Sequence, residues 1–256
     1  MGVTWKEEHL DFVLVPCGLL IMLAYHLFHL HRCVNLPQTT VSGYENHNRR
    51  AWVARILQVE AKERGPALTA IGSNLSAASS LASISLALCS LIGAWIGSSY
   101  NNDYITSRIY GNTSATIIYL KYIGLLSCFM IAFACFVQAQ RCFVHANFLI
   151  SMPNCEMPVA YVEGAVISGS NFWVVGLRSL YFAINLLLWI FGPIPMFVCS
   201  VITVVMLYFL DKNAAPLPEY NQPVSYGYSS KKADRATAAA TGTPQNSPNG
   251  TLNAQR

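Results

Sequence analysis

The chain has 256 residues, of which 54% are hydrophobic and only 11% are charged. Soluble domains carry about a quarter charged residues, so this composition excludes an ordinary soluble domain and indicates a membrane protein. The formal net charge is only +4. The basic residues form no long stripe and no nucleic-acid motif, so nucleic acid is not expected as a partner.

The first apolar segment predicts a membrane span over about residues 10–30, in which His26 and His29 lie three residues apart and face the same way. Ionisable groups inside a span are costly and usually face the helix bundle for a reason. One hypothesis is a metal or haem site completed by His145. We favour neutral, hydrogen-bonded histidines, because the sequence offers too few further ligands. The prediction is therefore no metal and no cofactor.

Residues 45–64 predict an amphipathic helix after the first span, with Trp52, Ile56 and Val59 on one stripe. Two interpretations stay open. The stripe could insert into the headgroup layer of an anionic cytoplasmic leaflet, as basic helices with Trp do. It could instead pack onto the parts of later helices that project from the membrane. Either arrangement predicts a helix nearly parallel to the membrane.

The second and third spans are predicted over about 68–97 and 117–139. The second is rich in small residues, and Gly93 with Gly97 has the small-xxx-small spacing that lets helices approach closely. The third keeps a helical pattern to about residue 150, so it should project from the bilayer. Cysteines recur in it every seven residues, and each is followed by Phe, which predicts a helix-packing seam. These cysteines are Cys128, Cys135 and Cys142.

Polar side chains are predicted to gather at the inner membrane surface, where the apolar part of the third helix ends. Spacings of three and four put several of them on one helical face. The predicted cluster comprises Arg49, Arg50, Trp52, Gln138, Arg141, His145 and Arg178. One hypothesis is a site for a lipid headgroup, an anion or a metabolite. We favour hydrogen bonds between helices together with arginines that reach toward the headgroups.

The apolar run 177–210 is closed by Asp211 and Lys212. It could form two spans hinged at Gly192 and Pro193, but each half would have only about sixteen residues, below the usual spanning length. We therefore predict one span over about 182–210, kinked by its prolines. Asn185 inside it is expected to bond across a helix interface.

Lys and Arg dominate the first and third loops, so the positive-inside rule predicts that both loops are cytosolic and both termini are not. The glycosylation acceptors Asn112 and Asn249 would then lie outside. Cys33 and Cys142 lie at inner membrane edges and are candidates for S-acylation. Residues 213–256 lack apolar periodicity and predict a disordered tail. The membrane is expected to be the plasma membrane or an endomembrane.

Several stretches resemble a known family of plant membrane proteins. They are LDFVLVPCGLLIMLAYHLFHLHRCVNLPQTTVSGYENHNRRAWV, RCFVHANFLISMP, GLRSLYFAINLLLWIFGPIPMF and the closing LYFLD. Over about residues 4–212 the chain resembles the domain of unknown function 599 family. The resemblance implies a membrane location, a plant source and four spans. It implies no established activity, so it supplies no catalytic residues.

The sequence as a whole predicts an all-α integral membrane bundle of four spans over residues 1–212, followed by the tail. The leading hypothesis is a non-enzymatic protein that assembles with itself, with membrane partners or with lipid headgroups through a basic cytosolic face. The second is a small transporter or channel subunit that uses the bundle around His26, Asn185 and Pro193. The third is a haem or metal redox enzyme centred on His26 and His29.

Overall fold

The computed structural model describes residues 7–99, 115–153 and 157–215, all within the compact unit Met1–Glu219. These residues form α1 (Glu7–Asn35), α2 (Val41–Ile56), α3 (Gly65–Ser99), α4 (Ala115–Ser151), α5 (Val159–Phe191) and α6 (Pro193–Asp211). The described ranges contain no β-strand, only an isolated bridge between Thr40 and Lys212. All the helices except α2 are long and apolar enough to cross a membrane. The all-α prediction is confirmed, but five such helices replace the predicted four.

The difference arises at Gly192, where the run predicted as one kinked helix breaks into two. Gly192 has φ 148°, a conformation that residues with a side chain rarely adopt. Pro193 begins α6 at a position where its missing N–H removes no helical hydrogen bond. Two helices were not expected because each half of the run has only about sixteen residues. α5 begins at Val159, however, so the first of the two helices has 33 residues. The run predicted as one kinked helix over 182–210 is thus divided between two helices, α5 and α6.

The last helix turns back along α5. Arg178 contacts Asp211 and Asn185 contacts Ser200, so α5 and α6 are antiparallel. α1 runs parallel to α6, since Tyr25, near the end of α1, reaches Asp211, at the end of α6. α1 therefore begins at one end of the bundle and α6 ends at the other.

The interface between α4 and α5 is formed by aromatic rings that lie against glycines. A Cβ atom added at Gly176 would lie 2.7 Å from the ring of Phe136, and one added at Gly169 would lie 2.8 Å from the ring of Phe143. The helices approach this closely only because both positions lack a side chain. The seam predicted from the cysteines is therefore made by the phenylalanines that follow them, and the cysteines are half-buried.

The first half of α3 projects beyond the apolar part of the bundle. The exposed face of α3 changes from small and polar side chains to apolar ones near Ala82. Thr69, Ser73, Ser76 and Ser80 are exposed before this point; Ile84, Leu88, Leu91 and Trp95 are exposed after it. The apolar exposed face thus begins about fifteen residues later than the predicted span. Gly93 is also exposed, and an added Cβ would meet nothing within 4 Å, so it makes no helix contact.

α2 packs on the projecting parts of the other helices. Val53 is fully buried in a cluster with Ile71 of α3, Phe143 of α4 and Val162 of α5. Of the two interpretations left open by the sequence, packing on the later helices is the one observed. α2 ends at Ile56, earlier than predicted.

The direction of α2 also differs from the prediction. The cap of α2, Thr40, is bridged to Lys212 at the end of α6, and Asn46 Nδ2 donates to Asn171 Oδ1 of α5 at 3.2 Å. Further along, Arg64 Nη1 donates to the backbone oxygens of Ile150 and Met152. Because Asn46 meets α5 at Asn171 and Val53 packs with Val162 nearer the start of α5, α2 runs along α5 in the opposite direction instead of lying across it.

Candidate functional site

A largely enclosed carboxylate, Asp211, lies where α1, α5 and α6 meet. Arg178 Nη2 donates to Asp211 Oδ1 at 2.6 Å, and the hydroxyl of Tyr25 donates to Asp211 Oδ2 at 2.7 Å. His29 Nδ1 lies 3.5 Å from the same Oδ2. The side chains of Arg178 and Asp211 are only 13% and 15% exposed. Both oxygens of Asp211 are thus engaged, and we call these four residues the Asp211 network.

His26 lies beside the Asp211 network with one ring nitrogen fixed. His26 Nδ1 lies 2.7 Å from the backbone oxygen of Met22. A carbonyl oxygen only accepts, so Nδ1 carries the proton and Nε2 of the neutral ring is an acceptor. Within the described part of the chain, neither His26 Nε2 nor Arg178 Nη1 has a hydrogen-bond partner, and both atoms are buried. The site therefore holds one buried acceptor and one buried donor that the fold does not use.

The loop after α1 ties the ends of α1 and α6 together next to the Asp211 network. Arg32 Nη2 donates to the backbone oxygen of Thr39 at 3.1 Å. The backbone N–H of Asn213 donates to that same oxygen at 3.1 Å, and its side chain donates to the backbone oxygen of Gln38. The position of Asp211 thus depends on this loop as well as on α6.

Cys33 follows His29 by one helical turn and contacts it. The Cys33 thiol lies 3.2 Å from His29 Nε2. Cys33 is half-buried. It is therefore in contact with the Asp211 network, whereas the sequence had singled it out only for its place at a membrane edge.

The predicted cytosolic polar cluster is not brought together as one site. Gln138, Arg141 and His145 lie on an exposed face of α4, where the His145 ring makes an edge-to-face contact with Tyr161 at 5.5 Å between the ring centres. Arg178 instead turns inward to the Asp211 network. The structure thus separates the face of α4 from the arginine of α5.

The members of the predicted cluster on α2 form a further, separate group. Arg49 pairs with Glu45 at 2.9 Å, Arg50 is exposed, and Trp52 is half-buried against the core of the projecting part. None of these three side chains contacts the Asp211 network in the described structure. Three groups of residues thus replace the single predicted cluster.

Asn185 makes a polar contact in the middle of the bundle. The hydroxyl of Ser200 donates to Asn185 Oδ1 at 3.1 Å, and Asn185 Nδ2 donates to the backbone oxygen of Tyr181 at 2.8 Å. A Cβ added at Gly18 would lie 3.1 Å from the Ser200 hydroxyl, so α1 approaches closely at the same level. This amide joins two helices, as expected of an amide in hydrocarbon.

A second buried group of charged residues lies at the opposite end of the bundle. The indole N–H of Trp189 donates to Asp11 Oδ1 at 3.0 Å, and both side chains are buried. Lys121 Nζ lies 5.3 Å from the centre of the Trp189 ring, and Lys121 is 2% exposed. Neither Asp11 nor Lys121 was singled out from the sequence as a candidate for this end of the bundle.

Both buried groups carried a sequence signal. Arg178 and Asp211 flank a stretch that contains no charged residue. A helical hairpin at Gly192 therefore brings the two charges to the same level. Asp11 and Lys121 are likewise the isolated charges inside their apolar segments. Because a charged side chain in hydrocarbon usually pairs with another, these isolated charges could have been expected to lie close to one another.

Some predictions fall outside what the structure describes. Asn112, Asn249 and all but the first three residues of the predicted tail lie outside the described ranges. Among the described residues, no group of three or more His, Cys, Asp and Glu side chains is arranged to hold a metal ion.

Comparison with known proteins identifies a family but no activity. The model of the family described as "Protein of unknown function, DUF599" matches residues 13–215, a range that includes the whole Asp211 network. No curated protein and no solved structure matches the chain. The match covers well over half of the chain, and the chain therefore belongs to the DUF599 family of proteins of unknown function.

Proposed function

We propose that this protein is a non-enzymatic membrane protein that binds anionic lipid headgroups through the basic end of its helix bundle. The observation that carries the proposal is the exposure of Arg141 and Lys212 near the level at which α1 and α6 end. Lys212 directly follows α6. Arg141 lies five residues, or about 7.5 Å, beyond Phe136, which packs at the level of Gly176. Both cations thus reach the height of lipid phosphates.

The sidedness of this end follows from its charge. The first loop carries Arg and Lys in excess, and the positive-inside rule places such a loop in the cytosol. With five spans, the N-terminus is then outside, and the tail begins in the cytosol beside Thr40. Cytoplasmic leaflets carry anionic lipids, which contribute about 1 kcal/mol for each basic residue near the surface.

The lipid proposal is tested by thermal unfolding of the detergent-solubilised protein with added phosphatidylglycerol or phosphatidylcholine. We expect phosphatidylglycerol alone to raise the midpoint, because a ligand of the folded state stabilises it. Replacing Arg141→Glu together with Lys212→Glu should remove most of the shift. Arg50→Glu is the matched control, since Arg50 is exposed on α2, further from the membrane. Equal effects of the two lipids would end the proposal.

The sidedness is tested by glycosylation in a eukaryotic cell. With this sidedness, Asn112, between α3 and α4, is outside the cell or in a lumen. Asn249, after α6, is in the cytosol. We expect a glycosidase-sensitive gel shift that Asn112→Gln removes and Asn249→Gln leaves unchanged. A shift that depends on Asn249 would contradict five spans.

Transport through the bundle is a second candidate function. It is favoured by polar groups that recur along one face of α5, at Arg178, Asn185 and Trp189, each bonded to another helix. Ion or solute flux in proteoliposomes that is abolished by His26→Ala would support it. Tight packing of Gly18 against Ser200 argues instead that the interface is closed in this conformation.

A further inference from the structure

Three side chains in and beside the Asp211 network have the order of a nucleophile, a base and a carboxylate. The Cys33 thiol lies 3.2 Å from His29 Nε2, and His29 Nδ1 lies 3.5 Å from Asp211 Oδ2. Nδ1 is the nitrogen that faces the carboxylate, so it carries the proton and leaves Nε2 to accept from the thiol. This is the arrangement that activates a cysteine, in which a third group orients the base.

The thiol lies near the end of α1, where exposed apolar side chains and charged groups meet. Leu30, Val34 and Leu36 are 58%, 71% and 46% exposed around it, as expected of side chains in contact with lipid. Arg32 directly precedes Cys33 in α1, and Arg178 belongs to the Asp211 network that the thiol contacts through His29. A molecule with an acyl chain and an anionic headgroup matches these surroundings.

We propose that Cys33 is a self-acylation site, whose thiol is activated by His29, itself oriented by Asp211, and accepts the acyl group of a long-chain acyl thioester. The product is a protein anchored by a covalent chain next to the loop that holds α1 and α6 together. Self-acylation modifies the protein and turns over no further substrate, so it is compatible with the lipid-binding function but does not rest on it.

The reaction balances without an oxidant or reductant. The Cys33 sulfur attacks the carbonyl carbon of the thioester while His29 Nε2 takes the thiol proton. The tetrahedral intermediate collapses, the bond from carbon to the donor sulfur breaks, and the leaving thiolate takes the proton from His29. A new thioester at Cys33 and a free donor thiol result. Arg178 Nη1, a buried donor without a hydrogen-bond partner in the described structure, lies in the same network.

Cys142 offers a matched control within the same chain. It is also half-buried, and it lies one residue from Arg141 at the inner end of the apolar part of α4. No histidine within hydrogen-bonding distance of Cys142 occurs in the described structure. Position at the membrane edge predicts similar labelling of both cysteines, whereas activation by His29 predicts faster labelling of Cys33.

The test uses the purified full chain in lipid nanodiscs, without any acyltransferase, incubated with palmitoyl-coenzyme A. Hydroxylamine-sensitive acylation at each cysteine is followed by mass spectrometry. We expect Cys33 to be acylated at least about tenfold faster than Cys142, since a positioned base contributes roughly 10²–10⁴-fold to such a step. His29→Gln should reduce the rate at Cys33 at least about tenfold and leave that at Cys142 unchanged. Asp211→Asn should cause a smaller reduction at Cys33.

Two results would overturn the proposal. One is acylation of Cys33 no faster than that of Cys142 in the unaltered protein, a comparison that needs no variant to fold. The other is an unchanged Cys33 rate in His29→Gln. Alkylation of Cys142 by maleimide and the thermal midpoint serve as folding checks for each variant, and Cys33→Ser verifies the assignment of the label.

Discussion

Two interfaces of this molecule are built on different physical principles. The α4–α5 interface is apolar, and the rings of Phe136 and Phe143 lie against Gly176 and Gly169. The interface of α1 with α5 and α6 instead contains the Asp211 network, the contact between Asn185 and Ser200, and the group around Asp11. Close packing thus stabilises the first interface, whereas hydrogen bonds and ion pairs stabilise much of the second.

This difference indicates where chemistry can occur. Hydrocarbon gives apolar helices no net reason to associate, so a membrane interface needs either close packing or hydrogen bonds. Polar contacts leave some polar atoms unused, and His26 Nε2 and Arg178 Nη1 are examples. The candidate site therefore lies in the second interface.

Removal of the arginine of the Asp211 network should have the largest effect. Arg178→Met leaves the Asp211 carboxylate, which is only 15% exposed, without its cation and should lower the free energy of unfolding by about 3–5 kcal/mol. Thermal or denaturant unfolding in detergent micelles measures this loss. The double variant Arg178→Met with Asp211→Asn should recover part of the loss, because no unpaired charge remains. Identical losses in the single and double variants would show that the ion pair is not what stabilises this interface.

A methyl group in the α4–α5 interface should have an intermediate effect. Gly176→Ala places a Cβ atom 2.7 Å from the ring of Phe136, and overpacking of this kind costs about 1–3 kcal/mol. Gly93→Ala is the control, since nothing lies within 4 Å of its added Cβ. The same unfolding assay should separate the two variants. Equal stability of both would mean that the interface is not held by close packing.

The buried lysine at the far end should have the smallest effect. Lys121→Met removes a buried ammonium that makes no hydrogen bond within the described structure, together with its contact to the Trp189 ring. Replacing a buried charge by an apolar side chain is often neutral or stabilising. We therefore expect the free energy of unfolding to change by less than about 1 kcal/mol. A loss above about 2 kcal/mol would show that Lys121 is paired as strongly as Arg178.

The all-helical membrane class could be predicted from the sequence, since long apolar runs are local and additive signals. The number of helices could not be predicted in the same way. Two helices that meet at Gly192 are too short when only the apolar run 177–210 is counted, whereas α5 begins much earlier, at Val159. The direction of α2 was also missed. Its apolar stripe predicts that one face is buried, but the stripe does not specify what covers it.

The candidate site shows the same division. His26, His29, Arg178 and Cys33 were each singled out as unusual from the sequence, and Asp211 was noted only as the end of an apolar run. The sequence by itself determined which residues are costly in a membrane and therefore need partners. Only the tertiary structure decided that Asp211 is that partner, because hydrogen bonds and ion pairs depend on distances of a few ångströms between helices far apart in the chain.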